Sequence, residues 1–348
     1  MHPPLPLSWE IRSDMWSFNH IYIENDIKDH PRTREILSKC SWRGIFYIDR
    51  YLKIFGRKKQ DIHFQMKNRS LILARASGEL LYRGSPMCQD YGRKQFYYTS
   101  TMKNCLYDCE YCYLKGMYDC GYIVIFVNIE DVFAQAERRL DLLADGERMY
   151  LSVSFHTDLY SFESLSGYCG LWKEFAREHP GAEIEIRTKG APSPDGDEGE
   201  VPNLIHAYTL SPQQIIDRFE HNTAPLSARI RSVARMLSSG GTVRICIDPI
   251  IYVRDWKELY GSLIDSMARA FDIDRVMDFG IGTFRISREY LKRLRRAEPH
   301  SEAVWYPFEI KDGYAVYPET LQRQMILFTS DRIMSFSKSR KNDIIFRA

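Results

Sequence analysis

From residue 95 onwards, apolar β-branched runs alternate with amphipathic helical patterns, and that alternation limits the chain to a small set of α/β folds. Six runs read as strands: Phe96–Thr99, Met149–Phe155, Glu183–Thr188, Leu204–Leu210, Thr242–Ile247 and Val276–Ile281. Helical spacing fills the gaps, over 131–143, 170–178, 227–238 and 256–271. A strand followed by a helix, six times over, predicts a partial (β/α)6 barrel of the TIM type. Its loops at the C-terminal strand ends should form the site. The turn-rich segment GAPSPDGDEGEVPN, after the third strand, reads as an acidic surface loop.

The first of these strands runs into the densest chemistry in the chain, QFYYTSTMKNCLYDCEYCYLKGM, which holds Cys105, Cys109 and Cys112. Three cysteines in C-x3-C-x2-C, with no fourth Cys or His at ligand spacing, leave a tetrahedral zinc site incomplete. They suit a cubane iron–sulfur cluster with one iron open to a further ligand. Half of a zinc site completed by a partner chain, or plain buried thiols, also accommodate the spacing. Eight cysteines without a basic-then-apolar leader point to a reducing compartment and metal ligation over a disulfide scaffold. No run approaches the ~18 apolar residues of a membrane span. The expectation is a cytoplasmic protein without membrane contact. Cys40, Cys88, Cys120, Cys169 and Cys246 stand apart from the triplet.

With the aromatic Tyr111 just before its last cysteine, the triplet resembles the signature of radical S-adenosylmethionine enzymes. The resemblance implies that Cys105, Cys109 and Cys112 hold a [4Fe-4S] cluster. The methionine end of S-adenosylmethionine would chelate its open iron, and reduction would release a 5'-deoxyadenosyl radical. The segments IYIENDIKDHPRTREIL and SLILARA, then YCYL, Thr157-Asp158, Thr188-Lys189, Pro225-Leu226 and Arg229-Ile230, are similar to spore photoproduct lyase. That family repairs a thymine dimer in DNA. The resemblance spans roughly 20 to 285 and implies cofactor-binding roles for Tyr111, Thr157, Lys189 and Thr209, the last replacing a family serine. Tyr113 is implied in cofactor packing or radical relay. Partners implied are DNA and a flavodoxin- or ferredoxin-type electron donor; oligomeric state stays open.

One departure matters: the family keeps a hydrogen-donating cysteine just beyond the second strand, where this chain has Phe155. Cys120 and Cys169 are the thiols expected to substitute if they reach the barrel mouth. His156 is a candidate acid or base, Asp248 a candidate substrate contact, and Cys246 a core residue. Other substrates for the same radical chemistry, or a zinc-dependent nucleic-acid-binding module, remain alternatives.

Around the barrel the sequence predicts an N-terminal α/β module over 1–92, the barrel over 93–285 and a cover over 286–348. The module has a strand at 20–24, helices at 31–37 and 48–55 and a strand at 70–75. The cover has a basic helix, an aromatic stretch (Trp305, Tyr306, Phe308, Tyr314, Tyr317) and a closing helix from Glu319. Net charge is only +2, so a polyanion partner depends on local clusters: Lys292, Arg293, Arg295 and Arg296, and Lys338, Arg340 and Lys341.

Overall fold

The computed structural model describes residues 15–85, 88–196, 198–338 and 345–347. Its centre is an open, curled eight-stranded sheet in the order Ile345–Arg347, Asp278–Thr283, Thr242–Ile250, Leu204–Thr209, Ala182–Thr188, Met149–Ser152, Phe96–Thr99, Leu81–Arg83. The six strands expected from the sequence are consecutive neighbours and parallel, with α-helix between each pair except Ala182–Thr188 and Leu204–Thr209, which a loop with one short 3-10 turn connects. This is the partial TIM-like barrel. Two short edge strands were not read from the sequence. Leu81–Arg83 pairs antiparallel to Phe96–Thr99, and Ile345–Arg347 extends the far edge in parallel.

Why the sheet curls shut around a polar centre is visible in one buried arginine. The Arg244 guanidinium binds both carboxylate oxygens of Asp278 (2.5 and 2.8 Å), Glu185 (2.7 Å) and the Tyr150 phenol (2.8 Å). It also lies 3.2 Å from the centre of the Tyr91 ring. Four strands of the sheet and the preceding loop therefore meet at one hydrogen-bonded charge, the condition under which burial of an ion pair is tolerated. A Cβ on Gly280 would stand 2.5 Å from the Tyr91 hydroxyl, so glycine is what lets that ring enter.

A second sheet, in the order Cys40–Ile48, Trp16–Glu24, Leu71–Ala74, Ile123–Phe126, Met102–Lys103, flanks the barrel. The expected N-terminal module over 1–92 supplies three of its five strands. The other two, Met102–Lys103 and Ile123–Phe126, lie on either side of the cysteines, and Leu81–Arg83 belongs to the other sheet. The expected helix at 48–55 is corrected. Cys40–Ile48 is an edge strand with Trp42, Phe46 and Tyr47 exposed, and only Leu52–Phe55 is helical. A run exposed along one edge lacks the alternation that signals a strand. In the cover, the basic helix is Arg288–Ala297 and the closing helix Glu319–Met334; Glu309–Lys311 and Tyr314–Val316 between them join Arg285–Ser287 in a three-stranded sheet. Of the second basic cluster, Arg340 and Lys341 lie outside the described residues. Among the described residues no helix is long and apolar enough to cross a membrane.

Candidate functional site

The cysteine loop hangs from the C-terminal end of strand Phe96–Thr99. Its entry is shaped by Asn104, which adopts a left-handed φ of 66° and donates to the carbonyls of Cys120 (2.7 Å) and Tyr122 (2.8 Å). Asparagine tolerates that conformation better than most side chains. Asp108–Cys109 then pairs antiparallel with Glu220–His221, tying the loop to the segment beyond the fourth barrel strand. Cys112 caps the short helix Tyr113–Met117, and the Cys109 carbonyl accepts from the Cys112 amide at 3.2 Å.

All three thiols are free. Burial pushes the Cys109 thiol up to about 12, with Lys189 opposing and Glu220 and Cys112 adding to the rise. Cys105 also feels the charges of Cys109 and Cys112, so the three share one neighbourhood. Among the described residues no three His, Cys, Asp or Glu side chains converge as for a single metal ion. A cubane takes its thiolates at separate corners, and three thiols on one loop suit it better than they suit one tetrahedral ion.

Facing the loop are the ends of the next strands. Asp158 accepts from the Thr188 hydroxyl (2.9 Å to each oxygen), the Lys189 amide (2.8 Å) and the Ser161 amide (3.2 Å). It thus fixes the Thr157 segment to the Lys189 segment. Burial raises the Asp158 carboxyl to about 6 against these hydrogen bonds. The neighbouring Thr157 hydroxyl is buried with no partner among the described residues, a donor left for a ligand.

The Lys189 ammonium bonds the Tyr111 hydroxyl (2.6 Å) and Glu220 (2.9 Å), and stands 4.9 Å from the centre of the Tyr111 ring. Glu220 is the residue that sequence reasoning missed. Its carboxylate also accepts from the Tyr111 hydroxyl, Ser211 (2.7 Å) and Arg229 (2.7 Å). Burial alone would raise its carboxyl, but Lys189 and Arg229 hold it well below the usual range. A glutamate between strands carries no local signal; only its pairing with Cys109 gives it away. Thr209 is buried at the end of its strand, and its carbonyl accepts from Arg229 at 2.9 Å.

The remaining expectations divide. Tyr113 donates to the Phe155 carbonyl, and Phe155 stacks on Tyr98 with centroids 4.1 Å apart. His156 packs edge-on against Phe155 (5.1 Å), and burial, aided by Lys103, lowers its pKa to about 3. A ring that stays neutral this far into acid is poorly suited to proton transfer. Cys120 is buried beside Cys105 and Cys112 on the side of helix Ile62–Lys67. Cys169 is buried in helix Tyr168–Glu178, its amide held by Glu163 at 2.6 Å. Burial and the charges of Glu163 and Asp158 raise the Cys169 thiol. Cys88 is half-buried against the Tyr91, Phe96 and Tyr150 cluster; burial raises its thiol while Arg285 and Arg187 pull it back. Asp248 is paired with Arg285 at 2.9 and 3.2 Å, and Cys246 is fully buried under the Tyr91 hydroxyl at 3.4 Å.

Known proteins resemble the chain in sequence and in fold. Spore photoproduct lyases of Geobacillus sp. (strain Y412MC61) and Bacillus subtilis (strain 168) are each 23% identical, over 178 and 180 residues. The matches take 48% and 49% of this chain, which spans about half the length of these curated relatives (50% of each). Among solved structures, spore photoproduct lyase complexed with dinucleoside spore photoproduct superposes with a TM-score of 0.76 at 16% identity. That match covers 95% of this chain and 98% of the other. A mutant of the enzyme with bound AdoMet and the same dinucleoside gives 0.77 at 15%, with the same coverage. At such identity these structures establish the fold. The family's own sequence pattern goes further: it matches residues 95–302, from the strand before the cysteines to the basic helix and beyond, and the chain belongs to the spore photoproduct lyase family.

Proposed function

We propose that this protein is a radical S-adenosylmethionine lyase acting on the thymine dimer of spore DNA. The observation that carries the reading is the three-thiol loop at the mouth of the barrel, faced by the unpartnered Thr157 hydroxyl and the Lys189 ammonium. Cys105, Cys109 and Cys112 would hold a [4Fe-4S] cluster. When bound, the cluster and cofactor supply one-electron cleavage of the sulfonium and hence hydrogen-atom abstraction.

The chain's own residues bind and orient. Lys189 offers a point charge for the methionine carboxylate and Thr157 a hydroxyl for a polar cofactor atom. Tyr111 and Glu220 hold that ammonium in place, and Asp158 sets the spacing between Thr157 and Lys189. Thr209 lines the next strand end. Tyr113, fixed by the Phe155 carbonyl, stands between the loop and the aromatic wall of the mouth.

The aromatic wall favours a second reading. With Phe155 stacked on Tyr98 at the position of the family's thiol, the same radical chemistry could serve a substrate other than this lesion. Anaerobic reconstitution tests both. The reduced, reconstituted protein should be brown, form 5'-deoxyadenosine and convert a spore photoproduct dinucleotide to paired thymines. Cofactor cleavage without conversion would favour another substrate. A colourless protein holding zinc and inert to the cofactor would overturn the assignment altogether.

A further inference from the structure

A concave basic surface lies apart from the mouth, on the cover. Helix Arg288–Ala297 presents Arg288, Lys292, Arg295 and Arg296 along one face, at helical spacing. Opposite them stand Trp305 and Phe308, enclosing a cavity of about 600 Å³. Trp305 is 51% exposed, with its ring 4.9 Å from the Arg295 guanidinium and its indole N–H donated to the Glu298 carbonyl at 3.1 Å. An aromatic plane held rigidly in the open, beside four cations and a single opposing carboxylate, Glu289, is costly unless something covers it.

The groove is coupled to the site by packing. The other side of its helix lies on the helix that follows Cys112: a Cβ on Gly116 would meet the Tyr290 carbonyl at 2.5 Å, and Arg293 donates to the Met117 carbonyl at 3.4 Å. Phe308 touches Phe284 (5.2 Å), whose ring meets Tyr111 edge-on (6.4 Å).

We propose that this groove holds a single strand of DNA beside the reacting nucleotides, its phosphates on Lys292, Arg296 and Arg288 and a base stacked on Trp305. Phosphate charge with a stacking platform is the recognition chemistry of single strands. A concave cleft with an aromatic floor fits a strand better than it fits the convex face of an acidic electron-transfer protein. The choice of DNA rests on the proposed function, but the test does not need the lesion.

Fluorescence anisotropy of the reconstituted full chain with undamaged labelled oligothymidylate reads binding directly. Lys292→Ala/Arg296→Ala should weaken binding about tenfold and make the salt dependence shallower by roughly 1.4 in log–log slope, two phosphates at about 0.7 each. Trp305→Ala should cost about fivefold or more, with Trp305→Phe recovering most of it. Lys94→Ala/Arg138→Ala, removing the same charge elsewhere, should bind normally. Failure of the unmodified protein to bind, or equal losses in both double variants, would overturn the proposal. So would unchanged DNA binding with slower reduction by an acidic flavodoxin-type protein, which would give the groove to the electron donor. Loss of lesion conversion with intact strand binding would count against the proposed substrate and not against the groove.

Discussion

At the residue scale, the site is a set of charges that satisfy one another before any ligand arrives. The Lys189 ammonium already binds Tyr111 and Glu220, so the proposed cofactor contact would redirect one that exists. A charge-assisted contact of this kind contributes roughly 1.5 to 3 kcal/mol. Lys189→Ala should therefore weaken S-adenosylmethionine binding about tenfold or more by calorimetry, with iron content unchanged. Phe155 carries no thiol, and Cys88 is a half-buried cysteine whose thiol Arg285 and Arg187 hold down against burial. Cys88→Ala is expected to shift dinucleotide turnover from thymine pairs to products quenched by outside reductants, whereas Cys120→Ala and Cys169→Ala leave the product ratio alone. His156 gives a pH signature. Its folded pKa lies at about 3, below the unfolded value of about 6.5. Below pH 6.5 the unfolded chain binds the extra proton, so this contribution is whole above that pH and is lost as pH falls towards 3. Between pH 6.5 and 5 it amounts to about 2 kcal/mol. Urea titrations at pH 7 and pH 5 should show His156→Leu losing that much less on acidification. The cysteine triplet was legible because its spacing is local; Glu220 and Cys88 were not, because their neighbours come from distant strands.

At the element scale, the barrel strands could be read because each is a continuous apolar run between turn signals. The edges could not: Leu81–Arg83 and Ile345–Arg347 are three residues each, too short for any period to show. Strand Ile123–Phe126, IVIF, is fully buried but sits close behind the cysteines, so its pairing with Leu71–Ala74 across the chain leaves no local trace. Helix Tyr113–Met117 shows how one element fixes another. Its Gly116 allows the Tyr290 backbone to approach where any Cβ would stand 2.5 Å from the carbonyl oxygen. Because the obstacle is backbone, relief requires moving the basic helix. Gly116→Ala should cost about 1 to 3 kcal/mol in urea unfolding and lower iron retention, the mark of a disturbed cysteine loop.

At the scale of the whole molecule, the cysteine loop belongs to neither sheet. Phe96–Thr99 before it lies in the barrel, and the short strand Met102–Lys103 that leads into it lies in the flanking sheet. The strand after it, Ile123–Phe126, lies in the flanking sheet between Leu71–Ala74 and Met102–Lys103. Removing residues 1–92 would strip the flanking sheet of three of its strands and the barrel of one edge. The 93–348 fragment, reconstituted anaerobically, should retain little iron; full loading would show that the barrel alone shapes the loop. The loop's third support, Glu220–His221, emerges only after four barrel strands have been made. Assembly therefore has an order. A nascent chain that has released its cysteines still lacks the partner strand that pairs with Cys109, and the pocket is complete only when both sheets have closed around it. On the proposed cluster assignment, iron and sulfide delivery is a late event in maturation, and protein made faster than cluster is supplied should accumulate as a folded form ready to accept it.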